Sequence, residues 1–277
     1  MRNILLTTAG LLLAGCAGAQ DVQLESRSIQ VDENAVPASA GGPDPGLAKA
    51  VQSSSPSYVT LTISEIDTNT TASSGKDANQ SIAITSGSGF VVNHQGYVMT
   101  AAHVAVKPGY AVQARAANGR LYTGTVVDVL PGNDMALIKL RGYAGKPAEP
   151  AANQCLASGS LVYSLGKPHE QGDTARVGNL QAMHFGRPVS YGKFGYPDAM
   201  VVHMGTQRGE SGGPLFNSQG ELVGMVVSTL TDNSGNLLNL AHAVPAPALA
   251  SFLCSHISCS PQWAAMSQRS TANCSKS

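Results

Sequence analysis

The chain has 277 residues, with 17 Lys and Arg balancing 17 Asp and Glu to a net charge of zero, and charged residues make up only 12% of it. A neutral, sparsely charged chain lacks the basic footprint that nucleic acid selects, so no nucleic-acid partner is expected.

In chain order, the first element is Met1-Arg2-Asn3 followed by the apolar run Ile4 to Leu13 and the small residues Ala14-Gly15. One cation, a short apolar stretch and small residues before a break predict a secretory signal over residues 1–15, too short to span a membrane as a mature helix. Leu13-Ala14-Gly15-Cys16 resembles the bacterial lipobox, whose cysteine is diacylated and becomes the new N-terminus. Lipidation of Cys16 is therefore expected, since two or more acyl chains anchor stably where one does not. An ordinary cleaved signal that happens to contain a cysteine is the competing reading. Ala17-Gly18, with no Asp beside the cysteine, suggests outer-membrane sorting. The expected location is the bacterial envelope, lipid-anchored, with the domain facing the periplasm or the surface. No later segment approaches membrane-spanning length.

Residues 16–56 are rich in Ala, Gly, Pro, Ser and Asp and are read as a flexible tether, because such a composition buries too little apolar surface to order itself. Ser57 to Ile63 then alternates apolar with polar, the mark of a half-buried strand. A polar loop around Asp67 to Gly75 precedes further short β-rich runs at Gly87 to Val92, Gly96 to Met99, Ala111 to Ala114, Leu121 to Leu130, Met135 to Leu140 and Leu161 to Ser164. Short strands between Gly and Asn turns predict an all-β barrel or sandwich. One convincing helix is predicted after Pro245 and Pro247, where Leu249, Phe252, Leu253 and Ile257 form an apolar stripe. The roughly 200 residues after the tether leave room for two small barrels and no more.

Apart from Cys16 the cysteines are Cys155, Cys254, Cys259 and Cys274. In an exported chain these are disulfide candidates, with three pairings that the sequence does not separate. Zinc is the competing reading, but Cys254 and Cys259 near His256 lie off the usual structural spacings. No metal and no cofactor are expected. His94, His169, His184, His203 and His256 have no ligand spacing and receive no role.

The most informative stretch is Gly209-Glu210-Ser211-Gly212-Gly213-Pro214. It sets a serine in a glycine-rich turn, where nothing crowds the hydroxyl and successive backbone N–H groups can converge. A serine hydroxyl is a poor nucleophile unless a base takes its proton and a third group orients that base. Thr100-Ala101-Ala102-His103 and Asn133-Asp134-Met135-Ala136 supply both candidates. The order His, Asp, Ser differs from that of subtilisins and α/β-hydrolases.

Together with Ser86-Gly87-Ser88-Gly89-Phe90, Gly220 to Met225 and Ala241-His242-Ala243-Val244-Pro245, these blocks resemble trypsin-like peptidases of the HtrA/Deg type over roughly residues 57–257. The resemblance implies an all-β chymotrypsin fold of two six-stranded antiparallel barrels, about 57–145 and 150–245, with a short C-terminal helix. It implies a serine endopeptidase in which Ser211 attacks, His103 moves the proton and Asp134 orients the imidazole. The N–H groups of Gly209 and Ser211 would form the oxyanion hole, and Gly205, Thr206, Val227, Ser228, Thr229 and Ala241 to Ala243 the specificity pocket. Gly205 stands where trypsin has a carboxylate, which gives no support for cleavage after Arg or Lys. His242 beside Thr206 is similar to the histidine and hydroxyl with which glutamyl endopeptidases hold an acidic side chain; simple packing is the favoured expectation. In trypsin-like zymogens a new N-terminus pairs with the acid before the nucleophile, here Glu210. An acylated N-terminus rules that out, so Glu210 is expected to pair with Arg208 or Lys193, or to face solvent. No PDZ module is expected after the domain, the tail 258–277 is expected to be stapled back through Cys274, and a monomer acting on protein or peptide substrates is expected. The alternative function is a protease-fold lipoprotein that serves as a binding partner with weak or absent catalysis.

Overall fold

The computed structural model describes residues 30–31, 45–65, 82–143, 145–168, 172–232 and 234–274. The signal segment, Cys16, most of the tether, the 67–75 loop and His169 lie outside the described residues.

The strands are β1 (Gln30–Val31), β2 (Tyr58–Glu65), β3 (Ile82–Val91), β4 (Tyr97–Thr100), β5 (Ala111–Ala116), β6 (Leu121–Leu130) and β7 (Met135–Leu140). They continue as β8 (Leu161–Gly166), β9 (Thr174–Ala182), β10 (Val189–Tyr191), β11 (Phe194–Tyr196), β12 (Met200–His203), β13 (Pro214–Asn217), β14 (Leu222–Thr231) and β15 (Leu237–Pro245). The helices are α1 (Pro45–Ser54), α2 (Ala102–Ala105), α3 (Ala246–His256) and α4 (Pro261–Ser267).

The first barrel closes in the order β2-β3-β4-β7-β6-β5. In β2 the period-2 pattern buries Val59, Leu61 and Ile63 and leaves Thr60, Thr62 and Ser64 half-buried on the outer face. Each fully buried aliphatic side chain of this kind contributes about 1.5–3 kcal/mol. The second barrel runs β9-β12-β15-β14-β13-β8 and closes through the β8–β9 pairing. The two antiparallel barrels match the expected fold class. Strands β10 and β11 form a separate hairpin.

The helix expected after Pro245 is α3, which buries Leu249, Ala250, Phe252 and Leu253, and Ile257 lies one residue beyond its end. Three further helices were not foreseen: the single turn α2, α4 and α1. Helix α4 buries Trp263 and Met266 behind an N-cap at Ser260. Helix α1 corrects the tether reading, which extended flexibility to residue 56. Leu47, Ala50, Val51 and Ser54 are buried on one face at helical spacing, with Pro45 at the first helical position where its missing N–H costs nothing. Ser54 Oγ then hydrogen-bonds Tyr163 Oη of β8 at 2.9 Å. Residues 30–31, also within the expected tether, pair in parallel with Thr174 and Ala175 of β9.

The four cysteines form two disulfides, Cys155–Cys274 and Cys254–Cys259. The first ties the C-terminal tail to the segment that enters the second barrel. His184 adds a polar tie to the same tail, with Nδ1 against Asp198 Oδ2 at 2.7 Å and Nε2 against the Thr271 carbonyl at 2.8 Å.

Candidate active site

His103 sits in α2, the single helical turn that follows β4. Asp134 closes the turn Pro131–Asn133 in a left-handed conformation, φ 48°, directly before β7. Among non-glycine residues Asp and Asn tolerate that conformation best. The pairing of Thr100 with Ala136 across β4 and β7 brings the two positions together. Asp134 is 0% exposed and its carboxylate is committed to the histidine. Oδ2 lies 2.9 Å and Oδ1 3.1 Å from His103 Nδ1, and Oδ1 also accepts from the His103 backbone N–H at 3.0 Å. A buried carboxylate on Nδ1 favours the tautomer with the proton there, leaving Nε2 as the acceptor.

A third donor to Asp134 was not foreseen. The Tyr191 hydroxyl, on the β10–β11 hairpin, donates to Oδ2. Burial and the Asp134 charge hold this phenol far above its ordinary titration range, so it remains a donor throughout physiological pH. Tyr191 and Phe194 also meet the His103 ring edge-on, with centroids 5.8 Å and 6.3 Å away. The sequence signal was the run Tyr191-Gly192-Lys193-Phe194-Gly195-Tyr196, aromatic residues flanking a glycine turn.

Ser211 is on the turn between β12 and β13, and the first barrel clamps it. Ser88, fully buried on β3, donates its N–H to Ser211 O at 2.9 Å and its hydroxyl to Gly209 O at 2.8 Å. Thr100 Oγ1 donates to Ser88 O at 2.7 Å. Gly212 has φ +83°, and a Cβ there would lie 2.2 Å from Thr100 Oγ1 and 2.3 Å from Ser88 O. Only glycine fits so close an approach. The segment that carries His103 is thus in direct contact with the turn that carries Ser211. Ser211 Oγ donates to Val227 O at 3.5 Å, a long bond, and no hydrogen bond joins it to His103 Nε2 in this structure. The N–H groups of Gly209, φ 97°, and Ser211 have no acceptor among the described residues.

Glu210 points away from this cluster, and neither of its expected partners is the observed one. It is 1% exposed, and Oε1 accepts from Arg176 Nε of β9 at 2.9 Å, while Oε2 accepts from the Gln207 N–H. Arg208 is exposed instead. Residues 208 and 193 looked suitable by proximity in sequence or in a loop; strand β9 is distant in sequence but lies under the turn in the closed barrel.

Four of the expected pocket residues meet in pairs on and beside β14 and β15 of the second barrel. Thr206 and Thr229 share a hydrogen bond between their hydroxyls at 2.6 Å, and Ser228 pairs with His242 across β14 and β15. His242 is 3% exposed, with Nδ1 against Tyr196 Oη at 2.6 Å and its ring 4.4 Å from that of Phe185. Burial, followed by the Arg187 charge and opposed by Asp198, lowers it to about 4, so it is neutral at pH 7. Tyr196 is raised to about 12 by burial; the hydrogen bond with Ser228 works against the shift and the Asp134 charge adds to it.

Residues 87–225 match the family described as "Trypsin-like peptidase domain". The chain belongs to the trypsin-like peptidases. Serine protease HTR4 of Rattus norvegicus is 31% identical over 180 residues, 63% of this chain and 35% of that protein. The probable periplasmic serine endoprotease DegP-like of Marinomonas sp. (strain MWYL1) is 30% identical over 159 residues, 57% of this chain and 33% of that protein. The chain thus spans about a third of the length of these curated relatives. Among solved structures the HtrA-type protease AlgW with tripeptide superposes at a TM-score of 0.62 and 22% identity, covering 77% of this chain and 64% of that one. The HtrA-type resemblance read from the motifs is borne out by these relatives.

Proposed function

We propose that the protein is a serine endopeptidase that cuts protein or peptide chains through an acyl-enzyme intermediate. The observation that carries this reading is the buried Asp134 carboxylate gripping both the ring and the backbone N–H of His103, beside a serine turn clamped to the same barrel. Ser211 Oγ attacks the scissile carbonyl while His103 Nε2 takes its proton and later delivers it to the leaving amine. Asp134 holds the tautomer and stabilises the imidazolium. The unpaired N–H groups of Gly209 and Ser211 receive the developing oxyanion; one such donor is worth about 3–4 kcal/mol at the transition state. The Nε2–Oγ contact forms with substrate in place, as long apo geometries do in such sites.

Glu210 already has a cation in Arg176, so no newly cut N-terminus is needed to seat the turn. The enzyme is therefore competent without a propeptide cut. Thr206, Thr229, Ser228 and His242, with Gly205 and Val227, form the pocket for the side chain on the acyl side. The domain works in the bacterial envelope, tethered by lipid on Cys16, and its two disulfides suit an oxidising compartment.

Casein digestion tests the reaction. Purified uncut protein should degrade casein and the Ser211→Ala protein should not. Activity that survives in Ser211→Ala would remove this mechanism. A folded wild-type protein inert on casein and on a broad peptide library would favour the binding-partner role.

A further inference from the structure

A cleft of about 450 Å³ opens on the outer face of the first barrel, beside the serine turn. Its floor is the outward face of β2 and β5, where Thr60 pairs with Arg115 and Thr62 with Gln113, so alternation points all four side chains away from the core. Its rim reaches the site through Gly209 and Gly87, and a Cβ on Gly87 would lie 3.1 Å from Ser211 O. Lys167, in the segment after β8, completes the lining.

Among the described residues two cations line this cleft and no carboxylate does. Arg115 uses Nε on Thr60 Oγ1 at 3.4 Å, and its Nη2 lies 3.9 Å from Asp173 Oδ1. Asp173 is 4% exposed and sits behind the guanidinium, while Arg115 keeps 20% exposure. Most of the five N–H donors of Arg115 are outside those two contacts. The Lys167 ammonium has no ion-pair partner among the described residues. A concave surface lined by one sign of charge concentrates that field on whatever enters it.

The position fixes which half of a substrate would enter. Ser211 lies between Val227, on the side of the Thr206–Thr229 pocket, and Gly87–Ser88, on the side of this cleft. A chain whose acyl half occupies the first side must leave over the second. We propose that this cleft is a subsite for acidic side chains on the leaving-group half of the polypeptide substrate, held by Arg115 and Lys167. The assignment of a side rests on the peptidase reading; the preference for acidic chains does not.

The Ser211→Ala protein, which retains the cleft, is titrated with rhodamine-labelled decapeptides that differ only in carrying paired Glu, Gln or Lys near their C-terminal end. Anisotropy should find the Glu peptide about fivefold tighter than the Gln peptide and the Lys peptide weaker still at low salt. Lys167→Glu, which leaves Arg115 opposed by a carboxylate and the cleft without net charge, should abolish the Glu preference, and Arg115→Gln should reduce the gap. If Arg115→Gln unfolds because Asp173 loses its neighbour, the surface residue Lys167 still decides. Equal affinities, or a Glu preference that survives Lys167→Glu, overturn the subsite. Because binding is read without cleavage, an inert wild-type enzyme would refute the peptidase reading and leave this result standing on its own. With an active wild-type enzyme, acids moved from the leaving side to the acyl side of a cut bond should lose their advantage. An equal advantage on both sides overturns the assigned side.

Discussion

At the scale of single residues, Asp134 carries the greatest constraint. It is fully buried beside an imidazole and takes hydrogen bonds from the His103 ring, the His103 backbone and Tyr191. Each donor restrains the carboxylate, and a hydrogen bond to a charged group typically contributes about 1.5–3 kcal/mol. Tyr191→Phe keeps the ring against His103 and removes only the donor. It should lower kcat about tenfold with KM within about twofold, because the loss falls on positioning of the base and not on substrate binding. Steady-state kinetics on one fluorogenic peptide reads this, and an unchanged kcat would reduce Tyr191 to packing. What the motifs made legible is local placement: His103 meets Asp134 and Ser211 sits in a glycine turn. Tyr191 and Arg176 were hidden because nothing near them in sequence says which distant carboxylate they meet.

At the scale of elements, the turn that carries Ser211 is held from two directions. Strand β3 grips it through Ser88, and β9 grips it from beneath through the Arg176–Glu210 pair, whose side chains are 7% and 2% exposed. Removing one member of a buried pair strands the other charge, at a cost of about 3–5 kcal/mol. Arg176→Leu should lose that much in urea unfolding and most of its activity. The double variant Arg176→Leu with Glu210→Leu should regain stability but not full activity, since Gln207 also depends on Glu210. A stable, active Arg176→Leu would contradict this anchoring. A second junction joins β15 to the β11 hairpin strand through His242 and Tyr196. His242 titrates near 4 in the fold against 6.5 as an ordinary histidine, so the unfolded chain takes up the proton first. Stability is therefore full above about pH 6.5 and falls as pH drops toward 4, by up to about 3 kcal/mol. Urea unfolding over that range should give a steeper loss for wild type than for His242→Phe, and parallel curves would contradict the burial argument. Among elements, strands with strict alternation were legible, whereas α1 was not. Its Ala, Gly, Pro and Ser content resembles a linker, and only the spacing of Leu47, Ala50, Val51 and Ser54 betrays it.

At the scale of the whole molecule, two closed barrels meet at the turn that carries Ser211. The first carries His103 and Asp134, the second carries Ser211, and the β10–β11 hairpin reaches back to Asp134. The Cys155–Cys274 disulfide joins residues 119 apart in sequence and anchors the tail across the second barrel. Cross-links that close loops of that size typically contribute about 2–5 kcal/mol. Strand spacing made an all-β barrel or sandwich legible, and the two-barrel architecture was implied by the resemblance that the three ordered motifs carry; the disulfide pairing was not legible, because four cysteines permit three connectivities. The most direct test is stoichiometric reaction with a fluorophosphonate probe, read by intact-protein mass spectrometry on uncut protein. One adduct per chain, located at Ser211 and abolished in Ser211→Ala and in His103→Ala, is the predicted result. A folded wild-type protein that takes up no probe, or takes it up equally without His103, would contradict the site.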